Sequence, residues 1–283
     1  RPALFLMVKT PIRLSVSAIR QYHTCPAQFY FQRIKRLEAP PSPQAVFGTI
    51  THLAFYRAYA DPTGAPGQVF WKVRGELRPE LALETFDLLV ERQEGEAPKD
   101  ETEALLFSLA EPTDGFRLEK GRTKRMQGRD GWIAHYREML TSALENPLDP
   151  ERVVAIELPV HYEMGGVDML GYIDLLYQGD EGLVLVDLKT QYNRPSQAEL
   201  EWNDQVARYY KAVPEAVDFW LYHLRSGERF SVPRNDDFIR LLERTDREVA
   251  EVLTSDLPDP IKFPRRLGEQ CHYCPYRQVC WNS

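Results

Sequence analysis

"GYIDLLYQGDEGLVLVDLKTQ", residues 171–191, is the stretch whose reading decides the fold. Both halves are apolar and they meet at Gly179-Asp180-Glu181-Gly182, so they read as antiparallel strands joined by a turn. Yet the first half carries Asp174, and the second ends in Asp187-Leu188-Lys189. In a strand, residues two apart share a face, which points Asp187 and Lys189 one way and turns Leu188 into the core. A turn at 179–182 brings Asp174 across the hairpin from Asp187. Ionised groups at the end of a buried strand are costly unless they are paired or hold a metal. Two carboxylates and an ammonium in one place suit a hard cation such as Mg²⁺, whose other positions go to water and a substrate phosphate. The lysine then orients the attacking water and offsets developing charge. An Asp-any-Lys triplet alone is common, and a surface salt bridge is its alternative reading.

Working outward, the period of two extends upstream through "RVVAIELPVHYEM" and Gly165-Gly166, which makes a three-stranded meander from Arg152 to Lys189. Downstream come a helix over Gln197–Lys211, a strand in "AVDFWLYHL", a short strand in "RFSVP" and a long helix from Asp236 to Leu253. Together these predict an α/β core over 151–255. Upstream, "LSVSAIRQYHTCPAQFYFQRIKRL" (14–37) predicts two helical stretches. Ser15 or Ser17 caps the first, Pro26 restarts the second, and Ile19, Tyr22, Phe29 and Ile34 are apolar anchors. After "EAPPSPQ" a further helix is expected from Val46 to Tyr59. Residues 61–150 alternate Pro/Gly breaks with amphipathic runs and read as a helical insertion; 1–60 and 256–283 flank the core as N-terminal helices and a C-terminal cysteine segment.

The 283 residues carry a formal charge of −7, which argues against a generally basic nucleic-acid coat. The basic residues are nonetheless grouped. Residues 1–37 hold seven of them, including Arg20, Arg33, Lys35 and Arg36, and no acid, while "RLEKGRTKRMQGR" (117–129) sets six against one glutamate. Solvated surface is the ordinary alternative for either patch. No apolar run reaches the length of a membrane span and no secretory signal is seen, so a cytoplasmic protein without a membrane partner is expected.

The cysteines are Cys25, then Cys271, Cys274 and Cys280 in "CHYCPYRQVC". In a reducing compartment this spacing argues for one four-ligand metal site that staples distant parts of the chain, either tetrahedral zinc or a [4Fe-4S] cluster.

Taken in order, "LSVSAIRQYHTCPAQFYF", "FGTITH", "GYIDLL", "LVLVDLKT", "DQVARYY" and "CHYCPYRQVC" carry a resemblance. The chain resembles the PD-(D/E)XK superfamily, and within it the RecB-like nucleases with an iron-sulfur cluster. That group includes the AddB-type nuclease domain and the CRISPR-associated nuclease of spacer acquisition. The match spans both ends and the middle, and leaves out about 61–150.

The resemblance implies a restriction-endonuclease-like core, a mixed sheet flanked by helices, with an iron-sulfur staple joining the ends of the chain. It implies that His52, Asp174 and Asp187 ligate Mg²⁺ or Mn²⁺, with the Leu188 carbonyl as a further ligand, and that Lys189 positions the nucleophilic water. Gln205 and Tyr209, four apart on one helical face, resemble an element that contacts DNA or supports the site. Glu157 matches a supportive acid, and Cys25, Cys271, Cys274 and Cys280 become cluster ligands; the preference for the cluster over zinc rests on the resemblance. The function so implied is metal-dependent hydrolysis of DNA by an exonuclease acting on single strands in recombination or repair. Arg20, Arg33, Lys35 and Arg36 would guide the strand. No phosphate-binding loop of the motor type is present, so a helicase partner is expected. A CRISPR spacer-processing nuclease and a non-catalytic DNA-binding scaffold are the alternatives.

Overall fold

The computed structural model describes residues 12–39, 42–63, 70–91, 115–119, 122–126 and 128–282. Its centre is a six-stranded mixed sheet. Strands β6 (Val153–Met164), β7 (Val167–Gln178) and β8 (Leu183–Lys189) form the expected meander, with β6 and β8 both antiparallel to β7. The tight connections need positive φ, which glycine supplies at Gly165 (62°) and Gly166 (81°). Strand β9 (Asp218–His223) is parallel to β8 and pairs with β10 (Glu228–Ser231).

The β8 to β9 crossover carries two helices where the sequence predicts one: α6 (Gln197–Glu201) and α7 (Asp204–Ala212). Asn203 makes the break, because its side chain accepts the Val206 N–H at 3.1 Å and starts a new helix. A strand that the sequence did not predict, β1 (Ile12–Ser15), runs parallel to β7 before Ser15 caps α1 (Val16–Thr24). Helix α2 (Pro26–Phe29) continues into a π-helical turn at Tyr30–Ile34. The extra residue in that turn rotates the subsequent side chains by about 100° around the helix axis. Phe31, inside the turn, is buried, and Ile34, expected as an anchor, is turned outward and 53% exposed.

Helices cover both faces of the sheet. On one face α3 (Pro43–Tyr59), α4 (Pro79–Glu91) and α5 (Gly128–Glu145) build a core with Val184, Val186 and Leu188. Phe47 stacks on Tyr136 at 5.4 Å and on Trp132 at 6.0 Å, contacts worth about 0.5–1.5 kcal/mol each beyond their burial. On the other face α1, α7 and α8 (Asp236–Thr254) bury Ile19, Tyr209, Leu242 and Val249 against Met169 and Leu185. The region read as a helical insertion thus holds helices α4 and α5 that share a core with α3. It also holds two short hairpins, β2 (Ala60–Thr63) with β3 (Phe70–Val73) and β4 (Gly115–Glu119) with β5 (Arg122–Met126). The side chains of the second basic patch lie outside the described residues. A third, small cluster gathers Cys25, Phe31 and Tyr276, with Cys274 and Cys280 against it.

Candidate active site

Strand β7 has one edge occupied by β6, so β1 and β8 share the other. β1 pairs with residues 167–170 and β8 with residues 175–178, leaving Gly171–Asp174 without a strand partner between them on that edge. Backbone groups exposed in such a gap need partners, and the candidate site residues supply them. Tyr209 donates its hydroxyl to the Tyr172 carbonyl at 2.7 Å, and the Leu188 N–H donates to Asp174 Oδ2 at 2.7 Å. The face alternation of β7 slips here as well: Ile173 and Leu176 pack into one core, Leu175 and Tyr177 into the other. Opposite Asp174, Glu157 sits at a φ of 48°, a left-handed conformation a glutamate rarely adopts. Its side chain accepts from Trp71 Nε1 at 2.8 Å.

Leu175 pairs with Val186, so continuing the register by one residue sets Asp174 against Asp187, as the sequence predicts. Asp187 is 6% exposed. Its Oδ1 accepts from Gln205 Nε2 at 2.9 Å, while its Oδ2 lies 2.6 Å from Lys189 Nζ. That second contact is an ion pair set off the hydrogen-bonding direction, which leaves Oδ2 buried without an aligned donor among the described residues. Gln205 also accepts from Lys189 Nζ at 3.4 Å and from Arg20 at 3.1 Å. One amide therefore braces the carboxylate and the ammonium together.

Asp174 Oδ1 accepts from Tyr56 at 2.9 Å, with His52 Nδ1 3.7 Å away. Burial raises the Asp174 carboxyl above its ordinary value; His52 opposes the rise and the Asp187 charge adds to it. Burial, followed by the Asp174 charge, holds the Tyr56 hydroxyl well above its usual range, so it stays a donor. Burial likewise pushes Tyr209 up to about 12. Tyr56 and Trp71 are the site neighbours that sequence reasoning missed, although Tyr56 follows His52 by four and shares its helical face.

Behind Gln205, helix α7 is clamped by a buried ion pair. Arg208 donates to both oxygens of Asp246 at 2.8 and 3.1 Å and to Asp204 at 2.7 Å; His23 meets Asp246 at 2.8 Å, and Arg20 meets Asp204 at 2.9 Å. Of the four basic residues expected to guide DNA, Arg20 alone touches the site. Arg33, Lys35 and Arg36 are exposed on and just after the π-helical turn beside the cysteines, with Lys35 over the Tyr30 ring at 5.3 Å.

Cys25, Cys271, Cys274 and Cys280 line one small cavity, Cys25 buried and the other three half-buried. Burial pushes the Cys274 thiol up, a backbone hydrogen bond from Tyr276 pulls it down, and the other three cysteines add to the rise. Thiols are the ligands that zinc and iron-sulfur sites use, but among the described residues these four are not arranged to hold an ion. Among the described residues, no three His, Cys, Asp or Glu side chains are arranged to enclose an ion by themselves. At Asp174 and Asp187 that is no obstacle to Mg²⁺ or Mn²⁺, because such ions keep several waters and need one or two protein carboxylates. Two facing carboxylates, Asp174 and the buried Asp187, fit a cation there.

No curated protein matches the chain. Among solved structures, one described as "Crystal structure of SSO0001" aligns with 89% of this chain and 98% of its own, at 11% identity and a TM-score of 0.34. The family profile of the PD-(D/E)XK nuclease superfamily matches residues 13–281. With a mixed sheet between helical layers and a match spanning nearly its whole length, the chain belongs to the PD-(D/E)XK nuclease superfamily.

Proposed function

We propose that the chain is a metal-dependent deoxyribonuclease that trims single-stranded DNA ends in recombination or repair. The observation that carries this reading is the meeting of Asp174, Asp187 and Lys189 at the gap in β7, with Asp187 buried and its Oδ2 ion-paired to Lys189 at 2.6 Å. Asp174 and Asp187 would hold Mg²⁺ or Mn²⁺, with His52 and the Leu188 carbonyl as further ligands. When bound, such an ion supplies Lewis-acid stabilisation of phosphate charge. Lys189, steadied by Gln205, orients a water for in-line attack on phosphorus and donates to the oxygen on which charge develops. Tyr56 holds Asp174 in its rotamer, and Arg20 offers a cation to the neighbouring phosphate.

Cys25, Cys271, Cys274 and Cys280 hold a [4Fe-4S] cluster in this reading, as a structural staple rather than a redox centre. The support is the donor set around one cavity and the resemblance carried by the closing "CHYCPYRQVC". Unwinding is left to a separate helicase.

The test uses protein purified without oxygen and end-labelled single-stranded and duplex DNA, with Mg²⁺ or Mn²⁺. The parent should digest single strands, and Asp187→Ala and Lys189→Ala should each lower the rate by at least about 10²-fold. Parental rates in both variants would show that the active site lies elsewhere.

A further inference from the structure

An open groove of about 760 Å³ begins at the candidate active site and runs away from it. His52, Leu188 and Lys189 form its near end. One wall is the first half of α3, with Gly48 and Thr49; the other is α5, with His135 and Tyr136; the loop after β8 closes it with Tyr192 and Asn193. A side chain at Gly48 would meet Thr190 Oγ1 at 3.2 Å, so the glycine lets α3 approach this loop.

Three properties of this groove point to one kind of occupant. Its volume is on the scale of a small-molecule site. Among the described residues none of those lining it is acidic, although the chain carries 42 aspartates and glutamates against 35 lysines and arginines. The lining also offers aromatic surface of partial exposure. His135 stands edge-on to Tyr136 at 5.1 Å, and Tyr192 carries the Arg225 guanidinium 4.1 Å from its ring centre. One buried donor of the lining, Trp132 Nε1, has no hydrogen-bond acceptor among the described residues. An acceptor brought by a ligand would relieve it. Flat π-surface, cationic groups and no carboxylate are what an unpaired nucleotide requires.

We propose that this groove is the subsite for the unpaired nucleoside adjoining the scissile phosphate, with His135 and Tyr192 stacking on its base. The assignment rests on the nuclease reading for its orientation, since His52 and Lys189 mark the end where the phosphate lies. Because the groove takes a base only when that base has left its partner, it is also the source of the preference for single strands.

The test is binding of a fluorescent oligothymidylate and of a blunt duplex to the full chain without added divalent metal, followed by anisotropy. His135→Ala and Tyr192→Ala should each weaken single-strand binding at least about tenfold and leave duplex binding within about twofold. His135→Phe, which keeps a stacking face, should restore single-strand binding. Both rings are half-buried, and thermal melts of the variants report whether the fold is kept. The proposal is overturned if the alanine variants bind single strands as the parent does, if duplex binding falls in equal proportion, or if His135→Phe is no better than His135→Ala. Asp187→Ala should still bind the single strand while failing to cut it. A parent that cuts no DNA would sink the nuclease reading, and the binding comparison judges the groove separately.

Discussion

Gln205 uses both ends of its amide at once: Nε2 donates to Asp187, and Oε1 accepts from Lys189 and Arg20. It touches both groups on which the proposed chemistry depends. Gln205→Ala should therefore lower the cleavage rate about 10- to 100-fold while leaving the melting temperature nearly unchanged. A rate equal to the parent's would show that Lys189 and Asp187 need no brace. At this scale the sequence was informative wherever local geometry decides the matter. Period two aligns Asp187 with Lys189, a four-residue turn faces Asp174 with Asp187, and helical spacing relates Gln205 to Tyr209. Tyr56 reaches Asp174 across 118 residues of sequence and Trp71 reaches Glu157 across 86, and no local period encodes such contacts. The helical face shared by Gln205 and Tyr209 divides its work: Gln205 holds the charged groups, whereas Tyr209 satisfies a backbone carbonyl.

The gap in β7 depends on what packs into it. A methyl group added at Gly171 would lie 2.8 Å from Tyr209 Cε1 and 3.3 Å from both Val16 and Val160. Gly171→Ala should cost about 1–3 kcal/mol, read as a lower urea midpoint, and should cut activity by displacing α7. A midpoint equal to the parent's would mean that the tyrosine moves freely. The clamp on α7 gives a second expectation. Arg208→Met leaves Asp246 buried with His23 as its remaining partner among the described residues, and loss of a buried ion-pair partner costs about 3–5 kcal/mol. A smaller loss in denaturant would show that His23 alone satisfies Asp246. The elements legible in the sequence were the long and periodic ones, the meander, α3, β9 and α8, together with the capped α1, α2 restarting at Pro26 and the short β10. Strand β1 escaped because four residues, "IRLS", become a strand only by pairing with a partner 155 positions away. The π-helical turn escaped because one added residue leaves no compositional mark, and its effect appears only as Ile34 turned outward.

Across the molecule, stability should follow pH through His223. Burial lowers its pKa, and its ring lies between Ser226 at 2.8 Å and the Gln191 carbonyl at 2.9 Å. The unfolded chain binds this proton more readily than the fold does, so the neutral ring stabilises the protein above about pH 6.5. That contribution is lost as the pH falls below this value towards the folded pKa. Thermal melts between about pH 7.5 and 5.5 should show the midpoint falling, and His223→Gln should flatten the curve; an equal slope in both would assign the effect to other groups. The proposed cysteine cluster acts at the same scale. Cys274→Ser should abolish bound iron and sulfide and lower the melting temperature by about 5 °C or more. Unchanged metal content would remove the staple.

The segment that carries these cysteines is tied to the front of the chain by ordinary hydrogen bonds as well. Tyr22 donates to the Lys262 carbonyl, Tyr30 to Asp259, Arg266 to the His23 carbonyl and Tyr276 to the Leu37 carbonyl, the last pair 239 residues apart. During synthesis, residues 22–37 leave the ribosome long before these partners exist, and β1 must wait for β7. Docking of residues 22–37 onto 259–276 is thus deferred until those partners are made, so a nascent chain that ends before residue 259 carries Asp174 and Asp187 on a scaffold whose first helices lack these ties.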